Sequence, residues 1–151
     1  MKDTIDQTPD RKAWMGLMAN APQGRVTVLL EAALPQPAHT WLRAPEIGSV
    51  IVRGRAGGTG APFNLGEMTI TRCALKLTGG EVGHAYIQGR NKADAEAAAL
   101  VDALMQTGAA TVMRTKVLGP LEQEQVARRT TRAEKAAATK VDFFTMVRGE
   151  D

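Results

Sequence analysis

Apolar and polar positions recur with two different periods along the chain, and the change of period separates helical from extended parts. Helical spacing predicts a short helix over residues 10–18 and a second helix over residues 22–33. Pro35 and Pro37 then end helical structure, because proline lacks the amide hydrogen that a helix interior needs. Extended segments rich in β-branched residues follow, and they predict strands over about 39–43, 49–55, 68–77 and 82–88.

The connections between these strands are short, which indicates antiparallel neighbours rather than parallel strands joined by crossover helices. Gly79 and Gly80 lie between the last two strands and predict a hairpin. Alternation along the last strand separates one face from the other, with the side chains of Val82, His84, Tyr86 and Gln88 opposite those of Ala85 and Ile87. His84 is then either a half-exposed side chain of the polar face or a residue that contacts substrate.

The clearest helix in the sequence is predicted over residues 93–105. Asn91 is a favourable N-cap, and the carboxylate of Asp94 lies where it favours the helix N-terminus. One apolar stripe follows at helical spacing, formed by Ala97, Leu100, Val101, Leu104 and Met105. These elements predict a single α+β domain over residues 1–151, with an antiparallel sheet of about four strands packed against helices, a C-terminal helix and an extended aromatic tail.

The C-terminal part of the chain is poorly suited to packing on its own core. A helix predicted over residues 121–140 is rich in alanine, arginine, glutamate and glutamine, so it has little apolar surface to bury. Phe143, Phe144 and Met146 follow it, and aromatic residues at a terminus either dock back on the domain or anchor a partner. We interpret residues 120–151 as an assembly segment with these three side chains at a partner interface, and we expect a homodimer in isolation.

A glycine-rich segment between two predicted strands is the first candidate binding site. Gly57, Gly58, Thr59 and Gly60 form a loop between cationic residues, and Arg72 lies in the next strand. The loop is either an ordinary wide turn or a cradle for an anion such as phosphate or phosphonate. It is not a P-loop, because no Lys-Ser or Lys-Thr pair follows the last glycine. It also leads into a strand, whereas a dinucleotide-binding motif leads into a helix.

Arg90 marks a second candidate anion site, where the last strand gives way to the helix predicted over residues 93–105. An arginine beside the free amide groups of a helix N-terminus can hold a phosphate or phosphonate group. The alternative is that Arg90 pairs with Asp94 or with solvent. The residues alone leave both interpretations open.

Composition limits the chemistry that this chain can perform alone. With one cysteine, Cys73, and two histidines far apart, the sequence has no zinc site of recognisable spacing and cannot by itself hold an iron–sulfur cluster through several cysteines. The only serine, Ser49, has no nucleophile motif around it. We therefore expect no metal or cofactor bound by this chain, and no catalytic residue can be named.

Charge and hydropathy favour a cytoplasmic protein without a nucleic-acid or membrane partner. The formal net charge of +3 is modest, and aromatic residues make up only 4% of the 151 residues. Basic residues are also interspersed with acidic ones, which disfavours a nucleic-acid-binding surface. No segment reaches the apolar length that spans a bilayer, and the N-terminus has no hydrophobic signal-peptide region. A single cysteine fits a reducing compartment.

Several segments, taken in order, resemble the PhnG family, the G subunit of the bacterial carbon–phosphorus lyase core complex. They are the glycine-rich segment 55–60, the strand segment 65–77, the Gln-Gly-Arg at 88–90, the helical segment 99–106 and the C-terminal segment 141–149. No single segment is specific to the family, but the ordered set is. The resemblance extends from the helix that contains Trp14 to the C-terminal Val-Arg-Gly.

This resemblance implies an accessory role in the use of phosphonates as a phosphorus source. In the family, the G subunit assembles with the H, I and J subunits. With the H and I subunits and an ATPase-like L subunit, it supports displacement of adenine from ATP by an alkylphosphonate, which gives a ribose 1-phosphonate 5-triphosphate. ATP and phosphonate would then be substrates of the complex rather than ligands of this chain. The alternative from the residues is a free-standing module that binds a small anion.

Overall fold

The fold is a three-stranded antiparallel sheet with helices packed on one face. The computed structural model describes residues 8–141, with side chains from Asp10 onward. The strand order is β1-β2-β3. In chain order the elements are α1 Thr8–Ala19, α2 Arg25–Ala33, β1 His39–Arg55, β2 Pro62–Leu77, β3 Val82–Gln88, α3 Lys92–Leu104, α4 Ala110–Met113 and α5 Gly119–Ala138, with a π-helical turn Arg114–Leu118 between the last two helices. The predicted α+β class is confirmed.

The expectation of about four strands is wrong, because the first two predicted strands form one strand of 17 residues. The two predicted strands were separated by residues 44–48, which include Pro45 and Gly48. Instead the pairing of β1 with β2 shifts register between Trp41 and Arg43 and again between Arg43 and Glu46. Such irregularities free Pro45 from a ladder hydrogen bond that it could not donate, so the backbone stays extended through it. Strand β2 also begins earlier than expected, because Pro62 pairs with Arg55 at the end of β1.

The predicted hairpin and the predicted alternation in β3 are both confirmed. Gly80 takes a positive φ of 105° in the turn, which suits a residue without a side chain. The amide of Leu77 donates to the carbonyl of Glu81 at 2.9 Å and closes the hairpin. Along β3 the side chains alternate between buried and exposed, so Ala85 and Ile87 face the helices while His84 lies on the exposed face.

Helix α3 is the centre of the core. The predicted apolar stripe is confirmed, since all five of its residues are buried. Burial goes further than the stripe, because the alanines at 95, 98, 99 and 103 are buried as well. Small side chains on several sides let the sheet, α1 and α2 approach the helix at the same time. The predicted cap is also confirmed, because the side chain of Asn91 accepts the amide of Asp94 at 3.1 Å.

Asp102 joins three elements from inside the core. Its carboxylate is fully buried and accepts Arg11 Nε at 3.0 Å and Arg11 Nη2 at 2.6 Å from α1. It also accepts the indole Nε1 of Trp14 at 2.9 Å and the backbone amide of His84 in β3 at 2.9 Å. Four donors satisfy the charge, which is the condition for keeping a carboxylate in a core.

Asp94 plays the corresponding role at the other end of α3. Its carboxylate accepts the amide of Gly24 at 2.5 Å, the amide of Thr27 at 3.2 Å and the hydroxyl of Thr27 at 2.8 Å. These bonds hold the start of α2. Gly24 has a positive φ of 80°, so the helix begins at Arg25 and not at Pro22 as predicted. The amide side chain of Asn91 adds a further donor at 3.0 Å.

Strands β1 and β2 extend well past the sheet. Strand β3 pairs with β2 only from Ile70 to Lys76. Residues 49–69, called the ribbon below, therefore form a two-stranded hairpin that reaches about 20 Å beyond the third strand. Nearly all of its side chains are exposed. A two-stranded hairpin alone is marginally stable in water, so the ribbon depends on the sheet at its base.

Helix α5 extends away from the core in a similar way. Leu121 is buried and anchors its first turn, and Glu124 pairs with Arg25 of α2 at 2.6 Å. From Val126 onward every described residue is exposed. The predicted weak packing of this helix is thus confirmed over about 20 Å of its length. The aromatic tail with Phe143, Phe144 and Met146 lies outside the described residues.

Replacing Gly83 tests the close approach of β3 to α3. A Cβ at this position would overlap the carbonyl oxygen of Ala99 and lie 2.9 Å from the Cβ of Ala103. We expect Gly83→Ala to lower the free energy of unfolding by about 3 kcal/mol, because the backbone of α3 must move. Gly66→Ala is the matched control, since nothing lies within 4 Å of its added Cβ, and it should change stability by less than about 0.5 kcal/mol. Equal losses of unfolding free energy in the two variants, measured by urea denaturation, would contradict the close approach of β3 to α3.

Replacing Asp102 tests the buried carboxylate. In Asp102→Asn the new side-chain NH₂ group replaces one carboxylate oxygen and faces hydrogen-bond donors that it cannot accept. Arg11 also loses its negatively charged partner. We expect the free energy of unfolding to fall by about 3 kcal/mol, as for other broken buried ion pairs. Glu122→Gln removes an exposed carboxylate on α5 and should cost less than about 0.5 kcal/mol. A loss in Asp102→Asn no larger than in this control, measured by thermal and urea denaturation, would refute the role of Asp102.

Candidate functional site

The glycine-rich loop lies at the tip of the ribbon and connects β1 to β2. Gly57 and Gly58 take positive φ values of 59° and 79°, which explains why glycine is used there. The amides of Thr59 and Gly60 both donate to the carbonyl of Ala56. Arg55 Nη1 donates to the carbonyl of Gly60 at 3.1 Å. The loop is therefore a closed turn that uses two of its own amides, and its predicted role as an anion cradle stays a prediction.

Arg72 lies on the exposed face of the sheet, where it already has an acidic partner. Its Nε donates to Glu46 at 2.6 Å, and the same carboxylate accepts Nη1 of Arg43 at 2.6 Å. The hydrogen bonds from Arg43 and Arg72 hold the pKa of Glu46 below its usual value. The bond to Glu46, and a second one with Tyr86, raise the pKa of Arg72. Any anion that binds Arg72 must compete with the carboxylate of Glu46.

Arg90 lies at the junction of β3 and α3, as predicted, but it does not pair with Asp94. That carboxylate is engaged by Gly24, Thr27 and Asn91 instead. Within residues 8–141 Arg90 has no hydrogen bond or ion pair, and it lines a small cavity of about 40 Å³. The helix N-terminus beside it already carries the negative charge of Asp94, which lowers its attraction for another anion.

The structure does not bring the predicted anion-binding residues into one site. Ten residues of extended strand separate Arg72 from the start of β2 beside the loop, a distance of roughly 30 Å. Arg90 follows Gln88, which pairs with Ile70 of β2, so eight residues of strand, about 25 Å, separate that end of β3 from the start of β2 beside the loop. His84 lies on the exposed face with its backbone amide bonded to Asp102. A single phosphate or phosphonate group cannot reach the loop and either arginine together.

A different cationic cleft lies between α5 and the end of the sheet. It has a volume of about 390 Å³ and is called the arginine cleft below. Its lining consists of three guanidinium groups and three primary amides, from Arg128, Arg129, Arg132, Asn20, Gln88 and Gln125. No carboxylate is among them. In the described part of the chain none of the three arginine side chains has a hydrogen bond or an ion pair.

Sequence reasoning missed the arginine cleft, although one signal was visible. Positions 125, 128, 129 and 132 are spaced by three or four residues and share one helix face. A charge run on a helix is usually a solvated face, so this spacing alone indicated nothing more. The opposite wall comes from Asn20 and Gln88, which lie far away in sequence. Only the fold places these two amides across from the arginines.

Apolar side chains cover much of the ribbon and face solvent. Ile51 is 60% exposed and Leu65 is 65% exposed, and Val50 and Phe63 are exposed as well. A Cβ built on Gly54 would lie within 3.8 Å of both Phe63 and Leu65, so these two side chains share one face of the ribbon. Exposed apolar side chains on a segment without a core of its own are typical of a surface that binds another chain.

Residues 8–141 hold neither a cluster of metal-binding side chains nor a reactive thiol. Among them no group of three or more histidine, cysteine or acidic side chains could hold a metal ion. The Cys73 thiol is buried and donates to the carbonyl of Ala95 at 3.1 Å. Burial, with a smaller contribution from Glu96, raises its pKa to about 12, which removes the reactive thiolate at neutral pH. None of the helices in residues 8–141 has the length and apolarity to cross a membrane.

A small α+β core that carries two exposed arms, the ribbon and helix α5, is typical of the class of proteins that assemble with other chains. Comparison with known proteins agrees with this class. The family model described as phosphonate metabolism protein PhnG matches residues 9–149. The chain is also 45% identical over 145 residues to the alpha-D-ribose 1-methylphosphonate 5-triphosphate synthase subunit PhnG of Rhizobium meliloti (strain 1021), covering 93% of this chain and 90% of that one. The chain belongs to the PhnG family.

The reactivity of Cys73 tests its burial and its raised pKa. At pH 8 we expect iodoacetamide to modify the native protein at least about a hundredfold more slowly than the urea-unfolded chain, because the unfolded thiol has a pKa near 8.5. The same shift predicts that stability falls as the pH rises from about 8.5 towards 12, since the unfolded thiol ionises first. Cys73→Ala should remove this alkaline loss. Rapid labelling of the folded protein would contradict the buried, protonated thiol.

Proposed function

We propose that this chain is a non-catalytic subunit of a synthase that joins an alkylphosphonate to the ribose of ATP and releases adenine. The product of the complex would be a ribose 1-phosphonate 5-triphosphate, the substrate of carbon–phosphorus bond cleavage. The relative named as a subunit of such a synthase supports this function. The partners proposed are the H, I and J subunits and an ATPase-like L subunit.

The observation that carries this proposal is the pair of unpacked arms. In the monomer the exposed apolar side chains of the ribbon and the exposed length of the 20-residue helix α5 contribute no burial free energy. Inside a complex, burial of those apolar side chains contributes favourably at about 25 cal/mol per Å². The side chains at the centre of such a contact carry most of the binding free energy. We assign the ribbon to contact with a partner subunit.

The C-terminal assembly segment is a further part of this proposal. Helix α5 carries residues 126–138 away from the core. A symmetric homodimer of the isolated protein through Phe143, Phe144 and Met146 stays a prediction. The small-anion-binding module remains the alternative function, and turnover measurements distinguish the two.

Reconstitution tests the accessory role. The isolated chain mixed with ATP and methylphosphonate should release no adenine, whereas the same chain with the H, I and L subunits should restore release. Adenine release is measured by liquid chromatography, with a mixture that lacks only this chain as the control. Adenine release by the isolated chain at the rate of the mixture would overturn the accessory role. Full adenine release by the mixture that lacks this chain would show that the chain is not required.

Two substitutions on the ribbon test the proposed contact. Ile51→Thr with Leu65→Thr keeps good strand formers and removes apolar surface that is already exposed in the monomer. We expect the melting temperature to stay nearly constant and the affinity for the partner subunits to fall by about tenfold or more.

Val28→Ala with Val112→Ala is the control for this experiment, because it trims two exposed valines of helices away from the ribbon. It should leave assembly unchanged in a co-purification titrated with partner. If both double variants weaken assembly equally, or if neither does, the ribbon is not the contact surface.

A further inference from the structure

The structure assigns the arginine cleft to a short polyphosphate chain, and we propose that it holds the triphosphate of the nucleotide substrate or of its product. This inference rests on the proposed function for the identity of the ligand, but the cleft itself is defined by its lining. Three guanidinium groups supply hydrogen-bond donors around about 390 Å³, and three primary amides complete the lining. The volume lies in the usual range for small-molecule sites.

Within residues 8–141 the side chains of the three arginines are unpaired, and their mutual repulsion disfavours the helix that carries them. Arg128 and Arg132 are four residues apart on α5, where like charges destabilise a helix. The nearest acidic side chain before them, Glu124, is paired with Arg25 at 2.6 Å. Glu134 follows Arg132 by two residues and points to a different side of the helix. Within the described chain nothing neutralises this cluster, so an anionic ligand would remove the repulsion.

The spacing of the arginines suits an extended anion better than a single phosphate group. Four residues of helix place Arg128 and Arg132 about 6 Å apart along the axis, with Arg129 beside them. Each guanidinium can donate two parallel hydrogen bonds to one phosphate group. Successive phosphates of a di- or triphosphate can therefore meet successive arginines.

The opposite wall of the cleft is held in place by its own hydrogen bonds. Gln88 Nε2 donates to Asn20 Oδ1 at 2.7 Å, and Asn20 Nδ2 donates to the carbonyl of Gly16 at 2.8 Å. These contacts join the end of β3 to the end of α1. Gln125 has no such bond within residues 8–141 and adds a free amide beside the arginines. Arg90 lies on a neighbouring small cavity that also includes Gln88, so a further cation is close to this wall.

The lining also indicates which part of a nucleotide is recognised. None of the six lining residues is aromatic, so the cleft provides no surface on which a base could stack. It has no carboxylate that could bind a ribose hydroxyl group. The phosphates are therefore the recognised part, and adenine is not. Inorganic tripolyphosphate and ATP should bind with similar affinity, and both should bind more tightly than AMP or orthophosphate.

Calorimetric titration of the full chain tests this assignment. Tripolyphosphate, ATP, AMP, orthophosphate and a single-stranded oligonucleotide are each titrated at low and at physiological ionic strength. Arg129→Gln with Arg132→Gln keeps good helix formers and removes two of the three guanidinium groups. We expect this double variant to bind tripolyphosphate about tenfold more weakly or worse. Circular dichroism should show unchanged helix content.

The matched control removes the same amount of positive charge elsewhere. Lys76→Gln with Lys116→Gln replaces two exposed cations that do not line the cleft, and it should leave tripolyphosphate binding within about twofold of the native protein. Equal weakening in both double variants would show attraction by net charge alone and would overturn the site. Tighter binding of the oligonucleotide, or binding of ATP without tripolyphosphate, would overturn the polyphosphate assignment.

Absence of tripolyphosphate binding to the native chain would overturn the inference and leave the proposed function intact, since assembly and adenine release are measured separately. If this chain proves dispensable for adenine release but tripolyphosphate binds at the arginine cleft, the proposed function fails and the anion site stands. The two experiments therefore fail independently.

Discussion

The buried carboxylate of Asp102 is the interaction on which the rest of the fold depends. It lies in the most buried helix and accepts hydrogen bonds from α1 and from β3, so the sheet and the N-terminal helix are aligned through one side chain. Asp94 repeats this arrangement for α2. Because a buried charge is tolerated only when its donors are in place, these contacts favour one arrangement of the helices over other apolar packings of similar volume.

Two segments, the ribbon and most of helix α5, extend from this core without packing on it. The ribbon continues β1 and β2 beyond the end of β3, and α5 follows directly on the π-helical turn, so each of these two arms is attached to the core only at its base. Their exposed apolar and cationic surfaces are consistent with a subunit that completes larger assemblies. The surfaces of the two arms also differ. The ribbon is apolar over much of its surface, whereas α5 forms the cationic wall of the arginine cleft.

The candidate site shows where local patterns were informative and where they were not. The glycine-rich loop was visible as a turn, and the structure confirms a turn because Gly57 and Gly58 need positive φ values. Its grouping with Arg72 could not be judged, since the length of β2 that separates them depends on pairing with β1. The arginines of α5 were visible as a spacing, but their significance depends on amides brought from α1 and β3.

The sequence by itself determined the elements with strong local signals: the α+β class, the capped helix after Asn91, the hairpin at Gly80 and the weak packing of α5. Each rests on neighbouring residues, through periodicity, capping or backbone freedom. Only the tertiary structure decided that β1 runs through Pro45 as one strand, that Asp94 and Asp102 are buried, and that the arginines of α5 face a cleft. These features arise because partners distant in sequence supply the hydrogen bonds or the opposing wall, and no local pattern encodes which partners meet.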